Sequence, residues 1–200
     1  NITVWAGIIL GLDDDDASSF ETQFRFIMDS GVTPTLIGLL QAMPGAPLYE
    51  RAQREGRLRL LPDTVGSGAL GTIDAQGLTN LMPKKLALPA LHGGYSKLVR
   101  RVFAPEAYGT RILAATARGA RDYPPIHRAL SKRNFLTIAR TLGYYFREAD
   151  GASRRMLVRV LLTLAARRGR GFEEILFHLV IYKHLRTYYD QAADAAQAAA

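Results

Sequence analysis

Residues 38–49 read GLLQAMPGAPLY, and their reading decides the fold. From Pro34 to Leu40 the chain is apolar and partly branched, with Thr35, Leu36, Ile37, Leu39 and Leu40 and no charge. Such a run predicts a strand covered on both faces. Pro44, Gly45 and Pro47 end it within four residues, because proline offers no ladder donor and glycine permits backbone angles that other residues avoid. Pro47 suits the first turn of a helix, in which Leu48, Arg51, Ala52 and Glu55 keep helical spacing up to Gly56, a C-terminal stop. Strand, tight loop and helix therefore follow in order.

Toward the N-terminus, Ile2 to Leu12 (ITVWAGIILGL) mixes branched and aromatic residues with Gly7 and Gly11. This predicts a buried strand that something approaches closely near its end. Asp13 to Asp16 come next, then Ala17 to Ser30, where Phe20, Phe24, Ile27 and Met28 share one helical face and Gly31 ends the helix. The crossover between the two strands is long enough for parallel pairing, so the unit is β-α-β. In parallel α/β architectures ligands sit at the carboxyl ends of strands, and this makes Leu10–Asp16 and Leu40–Tyr49, lying side by side, the candidate site.

Toward the C-terminus, Gly56 to Pro83 is glycine-rich and aperiodic, with GSGALG at Gly66–Gly71 and a cluster from Thr79 to Pro83. It predicts a long loop, a lid in preference to a linker. GSGALG has neither the lysine nor the glycine spacing of a phosphate-binding loop. From Lys84 onward the pattern is helical. Pro89–Phe103 places Leu91, Tyr95, Leu98, Val99 and Val102 on one face, and a further helix runs from Pro105 to about Arg121. Ser131–Glu148, Ser153–Arg168 and Gly171–Tyr189 follow as a small bundle, with an alanine-rich tail after Gln191 that is expected to fray. The fold class is α/β plus all-α, with domains at 1–83 and 84–200.

Two hundred residues, 48% of them hydrophobic, are enough for a packed core. There is no cysteine, which excludes disulfides and any thiolate ligand for a metal or iron-sulfur cluster from this chain itself. The chain opens on Asn1 and enters a strand at once, as expected of a segment of a longer protein. Residues 1–83 carry 5 Lys+Arg against 10 Asp+Glu, and residues 84–200 carry 21 against 8, within a net charge of +8. A basic half can meet nucleic acid, an anionic lipid surface or the acidic half of its own protein. Arg154, Arg155, Arg159, Arg167, Arg168 and Arg170 gather at one helix and its end. They read either as a solvated face or as a binding surface for an anionic membrane, with nucleic acid the less favoured partner. No apolar run is long enough to span a bilayer.

The segments GIILGLDDDD (Gly7–Asp16), FRFIMDSGV (Phe24–Val32), GLLQAMPGAPLYERAQREGRL (Gly38–Leu58), TNLMPKKL (Thr79–Leu86) and GYSKLVRRVFAPEAY (Gly94–Tyr108) have further meaning. In order and spacing they resemble the C-terminal portion of radical SAM enzymes of the cobalamin-binding subgroup. The helical end is similar to an accessory domain of uncharacterised role found on such enzymes, relatives of hopanoid C-2 methylases among them. The resemblance implies a C-terminal β-α-β fragment of a partial radical SAM barrel, followed by a helical bundle, in a cytoplasmic enzyme that is open to membrane association. It also implies S-adenosylmethionine, a [4Fe-4S] cluster on a CxxxCxxC motif, and cobalamin in the parent enzyme, with none of them expected in this fragment, which is inert alone. The cluster would reduce S-adenosylmethionine to a hydrogen-abstracting radical, and methylcobalamin could supply a methyl group. Gly7 and Gly11 resemble the GxIxG-like segment lining the S-adenosylmethionine site, and Leu40, Gln41 and Met43 the last-strand segment near its adenine. The family often has Phe at the place of Leu12, Thr at Ala46 and an aromatic at Leu81. Ala46 takes away any polar role of that position.

Read as residues, Asp13–Asp16 lack the spacing of a calcium loop, and helix capping accounts for most of the run. Asp13, nearest the strand end, reads as part of that capping run or, as the less favoured alternative, as a contact to ligand hydroxyls. Gln41 can pair with an adenine edge or with loop backbone. Tyr49 is either a packing residue or a substrate contact, and Asn80 and Met82 enter as substrate contacts through the resemblance and the candidate lid. No catalytic residue and no metal site are assigned, because His92, His127, His178 and His184 form no metal pattern. Tyr144, Tyr145, Tyr188 and Tyr189 read as helix packing rather than base stacking. The expected partners are the rest of the parent chain and a second copy pairing through an open strand edge. The alternative is a non-enzymatic basic helical module for a membrane surface or nucleic acid.

Overall fold

A computed structural model of the chain describes residues 4–59, 77–122, 132–166 and 172–200. Its elements are β1 (Ala6–Leu10), α1 (Ser19–Ser30), β2 (Thr35–Leu39), α2 (Pro47–Arg54), α3 (Leu88–Val102), α4 (Pro105–Asp122), α5 (Lys132–Arg147), α6 (Gly151–Ala166) and α7 (Phe172–Ala198). They fall into two compact units. A sheet unit holds Trp5–Ile27, Thr35–Val102 and Thr187–Ala200, and a helical unit holds Met28–Pro34 and Phe103–Arg186. GSGALG lies outside the described residues, as do most of the candidate lid, His127 and Arg167, Arg168 and Arg170.

In the sheet unit β1 and β2 pair in parallel, from Ala6 opposite Thr35 to Leu10 opposite Leu39, as the crossover length requires. The Leu40 amide continues the ladder onto the Leu10 carbonyl at 2.7 Å. α1 starts where Asp16 accepts the Ser18 amide at 2.7 Å. Of the aspartate run it alone caps the helix, since Asp13 and Asp14 form ion pairs and Asp15 accepts the Gly11 and Leu12 amides, so capping does not account for most of the run. Gly94 of α3 lies against the Phe20 ring of α1, where a Cβ would overlap the ring.

The strands are not covered on both faces. Ile8, Leu10, Thr35, Ile37 and Leu39 are buried, whereas Ile9 is 57% and Leu36 44% exposed, with Gly7 and Gly38 beside them on the uncovered face. An apolar run shows that burial suits both faces, but among the described residues cover lies on one. On the β2 edge away from β1, two tyrosines take up the backbone groups of Ile37. The Ile37 amide donates to the Tyr189 hydroxyl at 2.6 Å, and the Tyr95 hydroxyl donates to the Ile37 carbonyl at 3.1 Å. Burial raises both phenols, Tyr189 to about 12, so they keep their protons at ordinary pH. Tyr189 comes from α7, which does not fray after Gln191. It continues to Ala198 and buries Ala192, Ala193 and Ala196.

In the helical unit the α6 side chains Met156, Leu157, Val160 and Leu164 are buried, and α6 packs on α4, where Gly109 admits Met156. α6 begins at Gly151 because Asp150 accepts the Ser153 amide at 2.7 Å. Asp150 thus lies in the short connector between α5 and α6 and caps the second of them. Tyr108 and Tyr182 rings meet at 4.7 Å, Tyr182 donates to the Phe103 carbonyl, and Tyr145 to the Leu179 carbonyl. The pairing of Tyr145 and Tyr182 inside the core accounts for tyrosine there without any base to stack on. Arg111, fully buried, gives its Nη1 to the Val32 and Thr33 carbonyls at 3.3 Å each.

Candidate functional site

Parallel pairing puts the β1–α1 loop and the β2–α2 loop at the same end of the sheet, the end where β-α-β units place ligands. At β1, Gly11 takes φ +91°, and its Cβ would come within 3.2 Å of Leu91. The Asp15 carboxylate turns back to accept the Gly11 and Leu12 amides at 2.8 and 2.9 Å, fixing the turn. Gly7 stands on the open face with nothing near its Cβ position.

A third segment, residues 78–82, runs alongside the β2 end. Asn80, 4% exposed, accepts the Ala42 amide through Oδ1 and donates to the Ala42 carbonyl through Nδ2, both at 2.8 Å. Thr79 donates to the Leu40 carbonyl at 2.5 Å, and Gln41 Nε2 donates to the Leu78 carbonyl at 3.4 Å. Gln41 thus contacts loop backbone, one of its two expected roles. The antiparallel bridge Leu58–Leu81 anchors this segment to the chain after α2, with the Arg59 amide donating to Asn80 and the Met82 amide to Arg57. Both described ends of the candidate lid are therefore pinned at the site.

Asp13 is held in an ion cluster, paired with Arg57 at 2.8 Å, Arg51 at 3.3 Å and Lys84 at 3.8 Å. Arg57 also meets Glu55 at 2.7 Å and donates to the Met82 carbonyl at 2.8 Å. Burial works against the Arg57 charge, but hydrogen bonds to Glu55 and Asp13 outweigh it and hold the guanidinium above its ordinary pKa. The Arg57 hydrogen bond, in turn, holds Glu55 below the usual carboxylate range. Asp14 meets Lys85 at 2.9 Å, which lowers its carboxyl.

Gly7, Gly11 and Asp13 thus lie on the β1 side, and Leu40, Gln41 and Met43 on the β2 side, with Asn80 and Met82 brought in by residues 78–82. Tyr49 stands in the first turn of α2, half-buried, its amide bonded to Ala46. Met43 is 42% exposed. Ile9, Leu36 and Arg57 are residues that sequence reasoning missed. Nothing in the sequence separates Ile9 and Leu36 from their buried neighbours Ile8 and Ile37. Among the described residues no group of histidines and carboxylates could hold a metal ion. What the arrangement offers is an uncharged strand face at the strand ends where the ion-paired cluster of Asp13 lies. It suits holding a flat, partly apolar ligand through backbone groups and aliphatic contact.

Residues 46–198 match the family described as a domain of unknown function (DUF4070). Over 57 residues the chain is 51% identical to a hopanoid C-2 methylase of Rhodopseudomonas palustris (strain TIE-1), a stretch amounting to 28% of this chain and 11% of that protein. The likeness thus spans a small part of the methylase. No solved structure matches the chain.

Proposed function

The chain belongs to the family of the domain of unknown function DUF4070, and from that premise we propose that it is the C-terminal part of a cobalamin-dependent radical SAM enzyme. In this reading residues 1–83 end the partial β/α barrel with a lid, and residues 84–200 form a helical accessory domain. The observation that carries it is the state of the sheet. At the β2 edge Tyr95 and Tyr189 take up both backbone groups of Ile37, as a terminal strand needs, while among the described residues no strand pairs with the other edge of β1. One face, with Ile9 and Leu36, is also left uncovered by the described residues. The likeness to a hopanoid C-2 methylase supports the same class of chemistry.

S-adenosylmethionine fits the strand-end face. Ile9 and Leu36 give an apolar floor, Gly7 and Gly38 leave room for close approach, and Met43 and the Gln41 amide stand at the β2 end. Asp15 and Asn80 hold the backbone of the two loops, and Arg57 ties them to residues 82–84 through Asp13. Asp13, Tyr49, Asn80 and Met82 border the substrate side, Asn80 by positioning Ala42. The [4Fe-4S] cluster has no ligand here, since the chain has no cysteine, and no residue set is assigned to cobalamin. S-adenosylmethionine reduced by such a cluster supplies hydrogen abstraction, and methylcobalamin a methyl group. The rest of the parent chain docks along the free β1 edge, and a second copy of this chain could use that same edge.

The test uses the protein extended toward its N-terminus, reconstituted without oxygen and reduced. A CxxxCxxC motif and S-adenosylmethionine cleavage are expected there, with neither activity nor cluster in the 200-residue chain alone. Ile9→Asp should lower cleavage at least about tenfold, the loss of one well-placed apolar contact to a charge. Absence of the motif, or cleavage unchanged by Ile9→Asp, refutes the reading.

A further inference from the structure

Helix α6, GASRRMLVRVLLTLAA, is apolar on two sides. Met156, Leu157, Val160 and Leu164 are buried in the helical unit, but Val158 is 52% and Leu162 67% exposed on the opposite side. An apolar row facing away from the core is what a surface helix ordinarily lacks. Arg154, Arg155 and Arg159 flank that outer row, and with Val158, Leu162 and Thr163 they line a shallow, open groove. The helix carries no acidic residue. Among the described residues the ion pairs of this unit are Lys183–Glu148 and Arg186–Asp150, and Arg155 reaches Asp150 only through the field that helps to lower its carboxyl. Among the described residues no carboxylate lies within ion-pair distance of the three arginines. Arg154 Nε donates to the Ala149 carbonyl at 3.1 Å, and Arg159 reaches the Thr110 hydroxyl at 3.4 Å.

Three cations around two aliphatic side chains call for an occupant that is anionic and apolar together. A small anion would find no enclosed cavity. A folded partner needs roughly 800 Å² of complementary surface on each side, more than a ridge one helix wide presents. A lipid interface needs no matching shape. Phosphate headgroups accept from guanidinium forks, and aliphatic side chains enter the boundary beneath them. We infer that the outer face of α6 docks the chain on an anionic lipid surface, with Arg154, Arg155 and Arg159 on lipid phosphates and Val158 and Leu162 at the acyl boundary. No described helix is long and apolar enough to cross a membrane, so this contact is peripheral. It stands independently of the reading of the strand-end site.

Flotation of the 200-residue chain with vesicles tests it, because aggregated protein sinks while bound protein rises. Binding is expected to vesicles of phosphatidylglycerol mixed with phosphatidylcholine and not to phosphatidylcholine alone, and it should weaken as salt is added. Replacing all three arginines by Gln should reduce binding about a hundredfold, at about fivefold for each basic residue near the surface. Leu162→Asp should also release the chain. A charge-matched control, Arg25→Gln with Arg54→Gln and Lys97→Gln, should leave binding within about twofold, with circular dichroism confirming every fold. Three outcomes overturn the inference. They are no flotation with the anionic vesicles, equal loss in the control, and Leu162→Asp binding as well as the parent chain, which would mean diffuse attraction by net charge.

Discussion

Replacing Tyr189 by Phe removes one oxygen from the edge of β2. Ile37 is fully buried and Tyr189 is 1% exposed, and the lost contact is the 2.6 Å bond from the Ile37 amide. The phenylalanine ring keeps the packing, so the cost comes from a buried N–H left without its acceptor, about 1–3 kcal/mol. Tyr95→Phe removes the donor to the Ile37 carbonyl, and an under-bonded carbonyl is the more tolerable defect, about 0.5–1.5 kcal/mol. The two variants should therefore be unequal, with Tyr189→Phe the more damaging and its Tm lower by about 4–8 °C for a loss near 2 kcal/mol. Urea unfolding gives the free energies, and amide hydrogen exchange reads Ile37 directly. With both hydroxyls gone the β2 edge becomes available for pairing, so the double variant should self-associate more than either single one. A loss below about 0.5 kcal/mol in Tyr189→Phe, with the Ile37 amide still protected, would refute the reasoning that these hydroxyls close the edge at Ile37.

Asn80→Ala leaves both backbone groups of the buried Ala42 unpaired and should cost about 2–5 kcal/mol in urea unfolding. A near-neutral result would remove Asn80 from its positioning role. Burial first, and then the Arg111 charge, pulls His178 from 6.5 down to about 4. The unfolded chain then binds the extra proton between those values, so stability is full above pH 6.5 and falls toward pH 4, by up to about 3 kcal/mol. His178→Phe should flatten that acid arm in unfolding measured across pH, and an unchanged slope would assign it to other groups. Ending the chain after Asp190 removes the buried Ala192, Ala193 and Ala196, and the Ala199 carbonyl that lies 3.2 Å from His92 Nδ1. A loss of about 2 kcal/mol is expected in thermal unfolding, whereas a frayed tail would cost nothing.

The β-α-β unit was legible because its signals are local. An uncharged apolar run, proline and glycine within four residues, and an aspartate before a helix each dictate backbone geometry without reference to distant residues. The face of α3 was legible for the same reason, since Leu91, Tyr95, Leu98, Val99 and Val102 repeat at helical spacing and all are buried. Burial that depends on a distant partner left no such pattern. Ile9 and Leu36 look no different from Ile8 and Ile37 in sequence, because hydrophobicity does not record which face has cover. The alanine tail was expected to fray, since small side chains show little amphipathic contrast, yet Ala192, Ala193 and Ala196 are buried, and the Ala192 backbone lies where a Cβ on Gly77 would stand. Asn80 is a single amide that recognises Ala42 across 38 positions, and Arg57 gathers Asp13 from 44 positions away, so neither belongs to any periodicity.

Whether β1 is the torn edge of a larger sheet is read most directly by amide hydrogen exchange across Ala6–Leu10, in the 200-residue chain and in the protein extended toward its N-terminus. Some β1 amides should exchange freely in the chain alone and become protected in the longer protein, while the Ile37 amide is protected in both. Equal β1 protection in the two proteins would contradict the proposal that a further strand completes this sheet.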